Sequence, residues 1–232
     1  MSEWWTYSLS DFLLFAPRTY WRLFELYNAA IVPLQAVGLI VGAALVRVSL
    51  RPTRLRLRIA LGVLSLAWLW VGIAFLWRQY ATINWAAPWL AGAFVVQAAL
   101  LAGVGLALRS PAETERVAAA STHATLLVTF AVAIWPLVGS LDGRSWIGWE
   151  FFGVAPDPTA IGTLGLLLLL PRGPRYVLAI VPAAWCLVSA ATLWAMGAWQ
   201  TAAMVVALAI FAHGSVAAPK PGTTKPLGPL NG

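Results

Sequence analysis

The chain reads as an all-α integral membrane protein: about seven transmembrane helices preceded by an amphipathic interfacial N-terminal helix, with the N-terminus outside and the C-terminus cytoplasmic. Three observations predict this. Of 232 residues, 61% are hydrophobic and 10% charged, against roughly 45 to 50% and 25% in soluble domains. Apolar stretches near the ~20 residues that span a bilayer recur along the chain. Between the first two of them, Arg47, Arg51, Arg54, Arg56 and Arg58 put five arginines into twelve residues. A short loop this basic marks the cytoplasmic face.

The N-terminal region, residues 1–28, reads as an outer-face interfacial segment. Ser8 to Phe15 and Ala16 to Tyr27 suit two short helices, the first capped by Ser8 or Ser10 and the second opened by Pro17. Tyr20, Trp21, Phe24 and Tyr27 recur at helical spacing, with Arg18, Arg22 and Glu25 on another side, the pattern of a helix lying in the interface. Trp4 and Trp5 near acidic Glu3 do not suit a cleaved signal peptide, so no cleavage is expected.

The transmembrane bundle occupies residues 29–214. Its spans are expected over Ala29–Val46, Ile59–Trp77, Ala87–Leu108, Val117–Leu141, Thr159–Leu170, Tyr176–Ala198 and Trp199–His213. The fifth is short, but without it Arg172/Arg175 and Lys220/Lys225 could not both be inside. With it, 11 of the 15 basic residues fall inside and six of the eight acids outside, the asymmetry that sets orientation. Most of the tryptophans fall near outer span ends, as an aromatic belt or an outer docking surface would require. Residues 215–232, with four prolines and no periodicity, read as a disordered cytoplasmic tail.

Several function classes are disfavoured. The net charge of +7 is parcelled out between apolar spans instead of forming one basic face, so no nucleic-acid partner is expected. The lone Cys186 permits no internal disulfide and no cysteine metal cluster. Under these boundaries no Asp, Glu, Lys or Arg lies deep in a span, which argues against mid-membrane proton transfer. The last span lacks a lysine for a Schiff base, and neither Gly-x-Ser-x-Gly nor His-Glu-x-x-His occurs. No catalytic residue and no cofactor is predicted.

The candidate binding residues are Asp157, Glu150, Trp146, Trp149, Gln35 and Gln97. The loop from Asp142 to Thr159 is the densest mixture of charge, aromatic and turn residues. In it Asp157 is expected to cap the following helix, with Pro158 at the first helical position. Gln35, Gln97, Ser189 and Thr192 sit at similar depth and are expected either to join helices or to line a small polar cavity. No metal site is predicted; the candidates for one, His123 and His213, lie at similar depth on the inner side but lack a third ligand.

Two stretches, Met1 to Tyr20 continuing through Leu26-Tyr27-Asn28, and Phe152-Gly-Val-Ala-Pro156-Asp157-Pro158-Thr159 leading into Leu164 to Leu169, resemble an uncharacterised bacterial multi-pass membrane protein family, a domain of unknown function. The resemblance implies a multi-pass helical fold in the bacterial inner membrane and brings no activity with it. Relatives often carry a cysteine where this chain has Asp157, so a thiol role at that position is not implied here.

Two functions follow as expectations. In one, the protein binds or transports a small solute through an outer-facing cavity. In the other, it is a non-catalytic accessory subunit that docks a membrane-protein partner, or a second copy, through its Trp-rich outer face. The lipid bilayer is a partner in both.

Overall fold

The structure, a computed structural model, describes residues 15–108, 118–141 and 143–217, with the backbone alone at 118–121. The helix expected over Ser8–Phe15, all but its last residue, and the tail beyond Ala217 lie outside the described residues.

Every regular element among the described residues is helical. In chain order these are α1 (Pro17–Ile31), α2 (Leu34–Leu50), α3 (Arg54–Trp70), α4 (Ala87–Ala107), α5 (Ala118–Thr129), α6 (Trp135–Leu141), α7 (Pro156–Leu167), α8 (Arg172–Ala195) and α9 (Gln200–Ala217). Wider π turns at Val71–Trp77 and Phe130–Ile134 prolong α3 and join α5 to α6. Five helical stretches, Arg54–Thr82, Ala87–Ala107, Thr122–Leu141, Arg172–Ala195 and Gln200–Ala217, are long and apolar enough to cross a membrane. The pair α1/α2, bent by 93°, makes a sixth if counted as one. Leu55, Leu66, Leu106, Ile180 and Leu187 lie exposed on these helices, an apolar surface suited to lipid and unsuited to water.

The arginine loop has a second use. Thr53 caps α3 by accepting the Arg56 N–H at 3.3 Å. Arg54 Nε donates to Leu108 O at 3.0 Å, and Arg58 Nε to Gly105 O at 3.1 Å. These carbonyls belong to the last turn of α4, where no intrahelical donor remains, and cations are favourable there.

The aromatic side of α1 packs on protein: Tyr20, Phe24 and Tyr27 are buried against Phe75 and Tyr80. One boundary differs from expectation. Helix α9 runs on to Ala217, past the boundary expected at residue 214, since Ser215-Val-Ala continues a helix readily and the first proline comes at 219.

The weak fifth segment is the centre of the molecule. Helix α7 has twelve residues, all buried, and packs against α3, α5, α8 and α9. At 1.5 Å per residue it is about 18 Å long. Gly165 lets α5 come close, because a Cβ there would stand 2.9 Å from Leu127 Cβ and 3.0 Å from Ala124 O. At its far end Arg175 donates to Leu168 O (2.8 Å) and Leu170 O (2.7 Å), satisfying carbonyls left open where the helix stops.

Candidate functional site

The loop from α6 to α7 brings three charged side chains into the interior at one end of the bundle. Gly153, at φ +79°, adopts the left-handed turn that lets the chain enter α7. Its N–H donates to Thr159 Oγ1, which in turn donates to Ala155 O, so the entry is closed by Thr159 and not by Asp157. Pro156, not Pro158, opens the helix, and Ala155 precedes it without a side-chain cap.

Asp157 therefore does not cap its own helix. Its carboxylate, fully buried, accepts the Trp185 Nε1–H at 2.7 Å on one oxygen and the Ser189 hydroxyl at 2.8 Å on the other. Trp185 and Ser189 are four residues apart and share one face of α8. A carboxylate lies inside the bundle, contrary to the expectation of an uncharged interior, because two donors and the positive end of α7 offset the loss of water.

Glu150 is 4% exposed. It accepts from Trp135 Nε1 at 3.3 Å and faces the Arg144 guanidinium at 3.7 Å. Burial, helped by the charge of Asp157, raises its pKa above the usual carboxylate range, and Arg144 only partly reverses this. Arg144 lies 3.9 Å from the ring centre of Trp21 on α1, a cation–π arrangement.

Helix α1 closes over this end. Tyr27 accepts from Trp70 Nε1 at 2.9 Å and donates to Val154 O at 3.0 Å. Asn28 Nδ2 donates to Ile147 O and Trp149 O, and Gln35 Nε2 donates to Asn28 O at 2.7 Å. Trp149 donates to Arg144 O at 3.2 Å. An open groove of about 1010 Å³ runs along the other side of α1, lined by Arg18, Trp21, Arg22, Glu25 and Thr82. Its Arg22 and Glu25 pair with each other, and its Trp21 is the ring that Arg144 lies over.

The six candidates thus divide. Asp157 and Glu150 form one electrostatic cluster, and Trp149 and Gln35 brace its cover. Trp146 stands 57% exposed beside it. Gln97 is elsewhere: its Nε2 donates to Leu178 O at 2.9 Å, the carbonyl that Pro182, four residues on in α8, cannot bond because proline has no N–H. Thr192 donates to Val188 O within its own helix. The cluster's other members are Arg144 and Trp135 on Glu150 and Trp185 and Ser189 on Asp157; the signal that could have found part of it is the i, i+4 pair Trp185/Ser189 on an otherwise apolar helix.

At the other end of α7, His213 Nδ1 and His123 Nε2 stand 2.9 Å apart. This is the arginine-loop end, since Thr125 bonds Ser49 just before that loop. No group of three or more His, Cys, Asp or Glu able to hold a metal occurs among the described residues.

Long apolar helices packed around a short buried helix with a carboxylate at its start define an all-helical protein of membrane-compatible type. The chain belongs to DUF6064, a family of unknown function whose model matches residues 18–217. No curated protein and no solved structure matches it.

Proposed function

We propose that this is a seven-span bacterial inner-membrane protein, N-terminus outside, that binds or passes a small uncharged or weakly charged solute at the outer end of its bundle. The observation that carries this reading is the full burial of Asp157 at the start of a helix that is itself buried throughout. A buried ionisable group in a membrane bundle is costly, and function is its usual reason. Short half-helices whose N-termini face polar substrate groups are the working parts of many transporters.

The charges favour a neutral ligand. Burial disfavours a charge on Glu150, and the positive Arg144 offsets negative charge in the cluster, which offers hydrogen-bond donors and acceptors with little net charge. Helix α1 covers it, so a solute enters when α1 moves. A high-resolution map of the full chain in lipid nanodiscs tests this: non-protein density touching Asp157, Glu150 or Arg144 supports it, and a cluster filled by protein alone sinks it.

The exposure of Trp146 on the loop, together with Trp77, Trp85, Trp89 and Trp194, each more than half exposed, favours the second reading, an accessory subunit that docks a partner. Cross-linking in native membranes separates the two, since docking predicts one protein captured by wild type and lost with Trp146→Ala.

A further inference from the structure

The chain contains two histidines, and 90 residues apart in sequence they meet. His123 comes from the start of α5 and His213 from the end of α9, with ring centres 5.0 Å apart and the facing nitrogens at 2.9 Å. We propose that this pair is a binding site for a divalent late first-row transition metal, with His123 Nε2 and His213 Nδ1 as its two protein ligands.

Imidazole suits such ions and is their commonest side-chain ligand. Two imidazoles on one tetrahedral ion with bonds near 2.05 Å hold their nitrogens about 3.3 Å apart. The observed spacing reaches that by an opening of about 0.4 Å, which a turn of the exposed His213 ring supplies. The pair is not needed as a structural clasp. Helices α5 and α9 already pack side by side, since Gly214 lets them approach: a Cβ there would come within 3.0 Å of His123 Cβ. No Asp, Glu or Cys joins the pair among the described residues, so the other coordination positions go to water or to an incoming ligand. The site is therefore open, and it lies at the opposite end of α7 from Asp157.

The test uses the full chain purified without a histidine tag and loaded with Cu²⁺, the tightest-binding ion of the series. Expected are one Cu²⁺ per chain, an electron paramagnetic resonance spectrum split by two imidazole nitrogens, and a Tm raised by about 5 °C or more at saturating metal. His213→Ala and the hydrogen-bonding variant His213→Asn should each abolish the two-nitrogen pattern and the Tm rise. Because the chain has no other histidine, a two-imidazole spectrum in wild type identifies the pair even if a variant is lost in expression. A wild-type protein that takes up no Cu²⁺, shows fewer than two coupled imidazole nitrogens, or keeps its Tm rise in folded His213→Ala overturns the proposal.

Discussion

Trp185 donates its indole N–H to Asp157 across 2.7 Å, tying the first turn of the buried helix α7 to the middle of α8. With Ser189 on the second oxygen, this is the contact that fixes how α7 enters the bundle.

Asp157→Ala should destabilise the protein by roughly 2–4 kcal/mol, because it strands two buried donors at about 1–3 kcal/mol each. Asp157→Asn keeps an acceptor for Trp185 and removes the buried charge, so it should lose less than half as much. Reversible denaturation of the purified protein in mild detergent reads the difference. Equal losses in the two variants would show that charge, and not hydrogen-bond acceptance, holds α7.

Gln97 and Pro182 should behave as a coupled pair. Gln97→Leu alone leaves Leu178 O without a donor and should cost about 1–2 kcal/mol. Pro182→Ala restores an N–H four residues along α8, and in that background Gln97→Leu should cost close to nothing. The double-mutant cycle should therefore show a coupling of about 1 kcal/mol, whereas additive effects would assign Gln97 some other role.

Helical glycines should separate by what they face. Gly165→Ala puts a methyl 2.9 Å from Leu127 Cβ and Val128 Cγ2, and Gly38→Ala drives one into the backbone carbonyl of Phe152. Each should cost about 1–3 kcal/mol through overpacking. Nothing lies within 4 Å of a Cβ at Gly62 or Gly103, and alanine there should be neutral or stabilising by up to ~1 kcal/mol. Melting temperatures of the four variants decide this, and a uniform response would remove the packing argument.

Local pattern and non-local contact explain what could be read in advance. The long apolar helices announce themselves by composition, and Pro17 marks the start of α1 because proline is tolerated there. The tyrosines and Phe24 of α1 share a face that periodicity reveals, yet periodicity is silent on whether lipid or Phe75 covers that face. Asp157 before Pro158 has the local signature of a cap, and that signature is overruled by Trp185 and Ser189, donors 28 and 32 residues away. The meeting of His123 with His213 depends on α5 and α9 being neighbours, which one chain of letters does not encode. Gln97 was legible as buried and polar, but its task required pairing it with a proline on another helix.

The sidedness of α7 is the last point, and labelling can settle it. Helix α7 with the Leu168–Leu170 turn joins two segments, around Ser145 and Gly173, that the seven-span reading places on opposite faces of the membrane. Single cysteines at these positions, in a Cys186→Ala background that removes the one native thiol, should differ when intact cells are treated with a membrane-impermeant maleimide. Ser145→Cys should label in intact cells, and Gly173→Cys only after the membrane is opened. Gly173 has no neighbour within 4 Å of its Cβ position, so the substitution leaves the packing unchanged. If both cysteines label from outside, or neither does, α7 is a re-entrant element that returns to the face it left. Arg172 and Arg175 would then stand on the same face as Arg144, reversing the charge argument for this half of the chain. The arginine contacts to Leu168 and Leu170 make crossing the expected outcome: they end α7 at the turn and send α8 off from the far end of the buried helix, where the arginine loop also lies.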